Sequence, residues 1–256
     1  MKDVRIAMVL DLTLELTPNQ STVVLCNHDV GGTARIRLSK TILQEEGRFD
    51  YGFYKALRWH RGLRGTRPDL GWTALRNVTN IYRGSAKSPV NATVLHTCDY
   101  HKGFWDTRRR SDQLQKDRSV CGIRRGDLLV KRVGRQCASS IGKVVGNVRT
   151  RCSDCVLIIR PIQVSRSTEI LFSLRVLLAS PTMAALTEKG TGATYLTASQ
   201  LLNLSIPARL ARRFPKTFCD YRRAIWRRNY RGMTDIENKV RDLISRYRKD
   251  GTNGSL

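Results

Sequence analysis

Two cysteines stand at the spacing of half a zinc site. Cys152 and Cys155 are separated by two residues, and Cys121 and Cys137 are the thiols that would complete a tetrahedral set of four. No second CxxC pair and no pair of histidines follows them in the sequence. Cys155 leads directly into the apolar run 156–159, where a free thiol packs as a small hydrophobic group. We therefore favour a structural role for these cysteines, with zinc binding as the alternative.

Catalytic motifs of nucleotide and nucleic-acid enzymes are missing from the sequence. It contains no GxxxxGK(S/T) loop, GxSxG elbow or HExxH pair, and no Asn/Asp-Pro-Pro-aromatic loop of the kind that holds a flipped base. Pro68-Asp69 and Glu237-Asn-Lys239 match the letters of a PD…(D/E)xK nuclease, but they lie far apart and the second falls in a predicted helix. These observations indicate a binding protein without a catalytic centre, and a metal-dependent nuclease with an unfamiliar centre is an alternative.

Basic residues exceed acidic residues by a wide margin, and the excess is uneven along the chain. The 256 residues include 46 Lys and Arg against 21 Asp and Glu, a formal net charge of +25. Residues 1–66 contribute +3, residues 67–166 contribute +13 and residues 167–256 contribute +9. Most cations stand between apolar residues rather than in long blocks, so we expect folded structure to carry them. Charge of this size favours a polyanionic partner, either nucleic acid or an acidic membrane surface.

The apolar runs are too short to predict a membrane segment. The N-terminal run 6–10 ends at Asp11, whereas a signal-peptide core needs about 7–15 apolar residues. No other stretch approaches the roughly 20 apolar residues of a membrane-spanning helix. We therefore expect a cytoplasmic protein without a membrane partner.

The first 66 residues have the pattern of an α/β segment. Apolar residues recur at four-residue steps over 4–16, which is typical of an amphipathic helix. Residues 22–26 read as a buried strand, residues 27–32 as a loop, and residues 34–46 as a second helix. We predict a helix-strand-helix piece that serves packing or partner contact.

Short apolar runs separated by Gly, Ser, Asn and Asp follow from about residue 70. Runs of this length and spacing are typical of a small curled sheet or barrel. The predicted strands are 78–82, 90–96, 127–133, 141–148 and 155–160. Residues 170–179 are apolar almost throughout, which predicts a buried helix.

The end of the chain is predicted to be helical. Residues 197–200 form the pattern of a capping box and open a short helix over 200–204. Aromatic residues then recur at three- and four-residue steps up to Trp226, and Gly232 is expected to break this run. A second capping-box pattern at 234–237 opens the last helix. The fold class we predict is α+β, a curled β-rich domain flanked by the N-terminal α/β piece and C-terminal amphipathic helices.

The middle of the chain resembles a known family. Three stretches carry the resemblance, RRGDLLVKRVG at 124–134, IGKVV at 141–145 and SDCVLIIRP at 153–161. They are similar in type and order to motifs of the target recognition domains of type I restriction-modification specificity subunits and related adenine DNA methyltransferases. Weaker matches extend the resemblance from about residue 70 to about residue 210.

The resemblance implies a DNA target recognition domain over residues 67–210. Specificity subunits usually carry two such domains, whereas this chain has room for one, so it resembles a half-subunit or a detached recognition module. The N-terminal segment, residues 1–66, is faintly similar to the end of an adenine methyltransferase domain, although the catalytic motifs that would precede it are missing.

The resemblance also implies which residues touch DNA. Base edges are read in the major groove while cations hold phosphates, and arginine suits both roles because its guanidinium donates two parallel hydrogen bonds. The candidate base readers are His96, Asp99, Tyr100, His101, Lys102, Trp105, Arg108, Arg109 and Arg110. The candidate phosphate contacts are Arg83, Arg132, Arg135, Lys143 and Arg151. The motif glycines Gly126, Gly134 and Gly142 are expected to serve turns rather than contacts.

The C-terminal helical segment, residues 211–256, is expected either to close the domain or to dock a partner. Its apolar faces supply the candidate partner interface, Phe218, Tyr221, Ile225, Trp226, Val240, Leu243, Ile244 and Tyr247. The resemblance implies an adenine DNA methyltransferase subunit as the partner, with a homodimer or a second recognition subunit as further possibilities. It implies no cofactor in this chain, and S-adenosylmethionine in the catalytic partner.

The function implied is that of a sequence-specific duplex DNA-binding specificity subunit, which directs a separate adenine methyltransferase in a restriction-modification or related phage-defence system. An RNA- or ribosome-associated basic binding protein is the main alternative, because a high pI with interspersed arginines fits both.

Overall fold

The structure is a computed structural model that describes residues 22–29, 32–39, 51–84, 94–107, 122–134, 136–146, 151–178, 181–189 and 194–246. The chain divides into two units, Met1–Arg61 and Gly62–Leu256. The second unit includes both the range 67–210 and the described part of the C-terminal helices. Among the helices described, none combines the length and the apolar character needed to span a bilayer.

The described strands of the first unit form an antiparallel hairpin. β1 (Thr22–Asp29) pairs with β2 (Gly32–Ser39) in one continuous register. The strand predicted at 22–26 is confirmed and continues through residue 29, into the predicted loop. The helix predicted over 4–16 lies outside the described residues.

The helix predicted over 34–46 is wrong for the residues that the structure describes, because residues 34–39 belong to β2. The sequence alternates here, with Ala34, Ile36 and Leu38 between polar neighbours. This period of two is the pattern of a strand rather than of a helix. The described part of the N-terminal segment therefore has a β-hairpin in place of the predicted second helix.

A six-stranded mixed sheet lies at the centre of the second unit. The strands that the structure describes in this unit are β3 (Trp72–Ala74), β4 (Thr79–Arg83), β5 (Val94–Leu95), β6 (Tyr100–His101), β7 (Phe104–Asp106), β8 (Leu128–Lys131), β9 (Gly142–Val145), β10 (Arg151–Cys152), β11 (Val156–Pro161), β12 (Glu188–Lys189), β13 (Tyr195–Leu196) and β14 (Ser205–Pro207). The order in the large sheet is β4-β11-β8-β9-β7-β6. Adjacent strands of this sheet are antiparallel, except for β7 and β9, which are parallel. The other strands form the pairs β3-β14, β5-β10 and β12-β13.

The three motifs of the resemblance supply adjacent strands of this sheet. β8, from the first motif, lies between β9 from the second and β11 from the third. Leu129 of β8 pairs with Ile158 on one side and with Gly142 on the other. The strands predicted at 127–133, 141–148 and 155–160 are thereby confirmed. β8 and β9 lie inside their predicted ranges, and β11 extends one residue beyond its range.

One buried helix packs against the sheet and organises the rest of the unit. The α-helices among the described residues are α1 (Tyr51–Thr66), α2 (Ser167–Leu178), α3 (Pro181–Ala184), α4 (Ala198–Asn203), α5 (Leu210–Arg213), α6 (Pro215–Trp226) and α7 (Tyr230–Arg246). Ten of the twelve residues of α2 are buried, as predicted for 170–179, and α2 packs on β11, β14, α6 and α7. The α+β class predicted from the sequence is confirmed.

The two predicted capping boxes have different outcomes. The backbone N–H of Gln200 donates to Thr197 Oγ1 at 3.2 Å, and the backbone N–H of Thr197 donates to Gln200 Oε1 at 3.2 Å, so the first box is confirmed and opens α4. The second, at 234–237, is wrong because α7 begins four residues earlier. Asn229 Oδ1 accepts the N–H of Gly232 at 3.0 Å and supplies the cap. Gly232 therefore lies inside the last helix instead of ending the one before it.

Candidate nucleic-acid interface

A buried ion pair joins the first and last motifs of the resemblance. Arg160 on β11 donates to both carboxylate oxygens of Asp127, with Nε to Oδ1 at 2.9 Å and Nη2 to Oδ2 at 2.8 Å. The same carboxylate accepts the backbone N–H of Arg124 at 2.8 Å. The hydrogen bond to Asp127 holds the pKa of Arg160 above its ordinary value. Because this bidentate pair closes the turn before β8, the Gly-Asp and Arg-Pro motifs have a structural role.

Two motif glycines meet backbone constraints. Gly126 has a φ of +91°, and Ser167 Oγ donates to its carbonyl oxygen at 2.6 Å, so this glycine serves a turn that docks on the start of α2. Gly142 lies in β9, where a Cβ atom would stand 2.5 Å from the carbonyl oxygen of Gly103. Its role is a close approach of two backbones rather than a turn.

Asp154 pairs with two of the candidate phosphate contacts. Arg83 Nη2 lies 3.0 Å and Arg132 Nη2 lies 3.6 Å from Asp154 Oδ2. Arg132 Nε also donates to the backbone carbonyl of Asp154 at 2.6 Å. The hydrogen bond from Arg83, followed by one from the Cys155 thiol, holds the pKa of Asp154 below its ordinary value. Two arginines share one carboxylate, so they are less available to phosphate than two unpaired cations.

Trp105 is a core residue, which corrects its assignment as a base reader. Its side chain is fully buried, and Nε1 donates to the carbonyl oxygens of Leu129 at 3.0 Å and Ser140 at 3.3 Å. Tyr100 packs on it, with ring centroids 5.4 Å apart, and donates its hydroxyl to the carbonyl of Ser139 at 3.2 Å. These two aromatic side chains, which precede the first motif, therefore stabilise the sheet instead of facing a ligand.

Three candidate base readers are exposed near the β6 edge of the sheet. His96 precedes β6, His101 ends it, and Lys102 stands in the turn to β7. Asp99 is partly buried and accepts the backbone N–H of His96 at 2.7 Å, so its carboxylate holds the local turn. The structure thus brings His96, His101 and Lys102 to the surface along one short stretch of chain.

Lys143 lies among other cations at the start of α2. It is half-buried on β9, and its Nζ lies 3.4 Å from Thr168 Oγ1. Burial, followed by the positive charges of Arg222 and Arg125, lowers the pKa of Lys143. No ion pair of the described residues involves any of these three cations. Sequence reasoning found Lys143 alone, because Arg125 precedes the strand of the first motif and Arg222 comes from a C-terminal helix outside the three motifs.

The remaining predicted DNA contacts are Arg151 and four arginines outside the described residues. Arg151 is partly buried on β10, which pairs in parallel with β5. The predictions that lie outside the described residues are Arg108, Arg109, Arg110 and Arg135, together with Tyr247 of the partner interface.

Half of the predicted partner interface is buried within the second unit, and its assignment is corrected. The buried members are Tyr221, Ile225, Val240 and Ile244. They pack the terminal helices on α2, as the 4.7 Å separation of the Phe172 and Tyr221 ring centroids illustrates. Phe218 is partly buried, with its ring 5.6 Å from that of Phe172. Trp226 and Leu243 are 83% and 37% exposed and are the members available to a partner.

The cysteine pair lies partly in the core. Cys152 is fully buried, Cys155 is partly buried, and burial raises the pKa of Cys155. Cys137 is buried elsewhere, with its thiol donating to the carbonyl of Gly134 at 2.8 Å. Cys121 lies outside the described residues. In the part of the chain that the structure describes, no three His, Cys, Asp or Glu side chains gather as metal ligands.

Comparison with known proteins finds similarity in structure. No family model matches the chain, and no curated protein matches it. The S subunit of the type I restriction-modification system from M. genitalium is similar with a TM-score of 0.36 and 10% identity, over 60% of this chain and 41% of that one. The HsdS subunit from Thermoanaerobacter tengcongensis is similar with a TM-score of 0.36 and 15% identity, over 98% of this chain and 58% of that one. The chain spans about half the length of these structures.

Proposed function

We propose that this chain is a non-catalytic specificity subunit that binds duplex DNA at a defined sequence and directs a separate adenine DNA methyltransferase to it, in a restriction-modification or related phage-defence system. The observation that carries the proposal is the assembly of the three motifs. Their strands β8, β9 and β11 are neighbours in one sheet, and Asp127 of the first motif binds Arg160 of the last. The stretches that resemble the family's motifs are therefore neighbours in one sheet and are joined by an ion pair.

The distribution of charge supports DNA as the ligand. Three arginines, Arg83, Arg132 and Arg160, form ion pairs with the motif carboxylates Asp154 and Asp127. Other cations of the same unit, including Lys102 and Lys143, have no ion pair among the described residues. Cations beyond those needed for the fold favour a ligand that supplies many phosphates.

We propose that the base readers come from the stretch that contains His96, His101 and Lys102, continued by the arginines at 108–110. The first three are exposed, and the arginines follow them in the segment that precedes the first motif. Replacing Arg108 and Arg109 together by alanine is expected to weaken binding and to reduce the dependence of log Kd on log salt concentration. An unchanged slope would remove these two arginines from the interface.

Methylation itself is assigned to a partner. The sequence lacks the cofactor loop and the base-flipping loop of an adenine methyltransferase, so we propose that S-adenosylmethionine binds the partner subunit. Trp226, which is 83% exposed at the end of α6, is the anchor we propose for that contact, because exposed tryptophans often dominate binding energy at interfaces.

Selection from a random duplex library tests the function. The purified chain, alone and co-expressed with an adenine methyltransferase subunit from the same genomic neighbourhood, is incubated with the library at physiological salt, and bound DNA is sequenced. We expect enrichment of one sequence, and methylation of an adenine within it by the complex only. Preference for structured RNA over the duplex in competition would favour the RNA-binding alternative, and metal-dependent cleavage by the chain alone would favour the nuclease.

A further inference from the structure

Three cations from separate segments converge on the first turn of α2. Ser167, the first residue of the helix, donates its hydroxyl to the carbonyl of Gly126 at 2.6 Å, which brings the neighbouring Arg125 to this turn. Lys143 reaches the same turn from β9, since its Nζ lies 3.4 Å from Thr168 Oγ1. The sheet thus supplies two of the three cations to one end of the helix.

The third cation comes from the C-terminal helices. Phe172 lies one turn further along α2 than Thr168, and its ring packs on that of Tyr221 with centroids 4.7 Å apart. Arg222 follows Tyr221 on α6 and is exposed. The positive charges of Arg222 and Arg125 both act on Lys143, so the three groups are electrostatic neighbours.

This arrangement is unfavourable without an anion. Lys143 is half-buried, and burial together with its two cationic neighbours lowers the pKa of its ammonium group. None of the ion pairs that the structure describes neutralises Arg125, Lys143 or Arg222. Repulsion between like charges is relieved when an anion binds between them.

We infer that Arg125, Lys143 and Arg222 form a phosphate-binding site that holds one backbone phosphate of bound duplex DNA. The inference rests on the proposed function. Two guanidinium groups donate paired hydrogen bonds to phosphate oxygens, and the ammonium group adds a point charge. Because the cations come from both the sheet and α6, the contact fixes the orientation of the recognition surface on the duplex and carries no sequence information.

Salt dependence of DNA binding tests the site. The triple variant Arg125→Gln, Lys143→Met and Arg222→Gln removes the three charges, and Met keeps the apolar stem of the lysine. Its matched control, Arg76→Gln, Arg212→Gln and Lys239→Gln, removes three exposed cations of the same unit. Binding of a fluorescent duplex is measured by anisotropy over a range of NaCl concentrations. Neutralising one phosphate contributes about 0.9 to the slope of log affinity against log salt, so we expect the site variant to lose about 0.9 and the control much less.

The slope separates the outcomes. An equal loss in both triples would show that only net charge matters, and would overturn the site. A loss of about 2.7, the value for three separately neutralised phosphates, would also overturn it. If Lys143→Met prevents folding, as judged by circular dichroism, the double variant Arg125→Gln with Arg222→Gln carries the same test, because both side chains are exposed.

Inorganic phosphate gives a readout that does not depend on DNA. The thermal unfolding midpoint of the unmodified chain is expected to be higher in sodium phosphate than in NaCl of equal ionic strength. This difference is expected to be smaller in the site variant and unchanged in the control triple, because only the site variant loses the bound phosphate. Phosphate stabilisation without duplex binding would refute the proposed function and the DNA ligand while keeping the anion site. Duplex binding with neither the slope change nor the phosphate effect would refute the site and leave the proposed function standing.

Discussion

Glu237 on α7 accepts two hydrogen bonds from Arg175 on α2, with Nε to Oε1 at 2.5 Å and Nη2 to Oε2 at 3.0 Å. Both side chains are buried, and Tyr221 on α6 donates its hydroxyl to the same carboxylate at 2.8 Å. Burial alone would lower the pKa of Arg175, but the charge of Glu237 raises it above its ordinary value. Three helices thus share one buried carboxylate, and this contact makes the terminal helices part of the second unit.

Breaking this ion pair is expected to destabilise the chain strongly. Arg175→Met leaves the Glu237 carboxylate buried without its cation, which costs about 3–5 kcal/mol of the free energy of unfolding. Adding Glu237→Leu and Tyr221→Phe removes the polar groups left behind and is expected to restore most of the loss, as buried pairs often exchange for apolar residues without cost. Urea unfolding monitored by circular dichroism measures both. A single variant within about 1 kcal/mol of the parent, or a triple variant no better than the single, would contradict this reading.

The motif ion pairs allow a matched comparison of a buried and a partly exposed carboxylate. Asp127 is 1% exposed and bound by one arginine in bidentate geometry, whereas Asp154 is 33% exposed. Asp127→Asn is expected to cost about 3–5 kcal/mol, and Asp154→Asn less than about 1 kcal/mol. Urea unfolding at pH 7 gives both values, and equal costs would show that burial does not control the strength of these pairs.

The partly exposed pair of Arg83 and Asp154 has a defined pH dependence. The pKa of Asp154 is lowered in the folded chain, first by the hydrogen bond from Arg83. The stabilisation is therefore fully present above the carboxyl pKa of the unfolded chain and is lost as pH falls through the lower folded value. The difference in unfolding free energy between the parent and Asp154→Asn is expected to shrink below about pH 4. A difference that grows on acidification would contradict the assignment.

Sequence patterns predicted the local structure and missed the contacts between distant segments. The apolar runs of β8, β11 and α2 are local signals, since burial on several sides leaves a nearly continuous run of apolar residues. Arg175 and Glu237 are 62 positions apart in the chain, and no spacing rule links an arginine in one helix to a glutamate in another. The apolar stripes of α6 and α7 were equally compatible with a partner until the fold showed α2 lying against them.

Two other misses have local causes. The hairpin strand β2 has a clear alternation of apolar and polar residues. The prediction of a helix was wrong there because Ile36, Leu38, Ile42 and Leu43 also fit a period near four. The start of α7 was misplaced because glycine usually ends a helix, whereas Gly232 occupies the third position after an Asn cap, where its N–H bonds the side chain of Asn229. The candidate site shows the same limit, since only Lys143 of the three converging cations belongs to a motif strand.

Burial protects one thiol from reaction. Desolvation raises the pKa of Cys137 to about 11, and its side chain is fully buried. At pH 8 only about one molecule in a thousand carries the reactive thiolate at this position. Timed alkylation with iodoacetamide, followed by peptide mass spectrometry, is expected to modify the exposed Cys98 and Cys219 long before Cys137. Equal rates in the folded chain would contradict both the burial and the raised pKa.

A substitution at Trp226 distinguishes a role in partner binding from a role in folding. Its side chain is 83% exposed at the end of α6, so Trp226→Ala is expected to change the free energy of unfolding by less than about 0.5 kcal/mol. If it anchors the methyltransferase subunit, the same substitution is expected to raise the Kd of that complex by about thirtyfold or more, the effect of an interface hot spot. Ile162→Ala is the control, because Ile162 is an exposed apolar residue outside the terminal helices. Titration calorimetry with the co-expressed partner measures the Kd of each variant. An unchanged Kd for Trp226→Ala would place the methyltransferase on another surface.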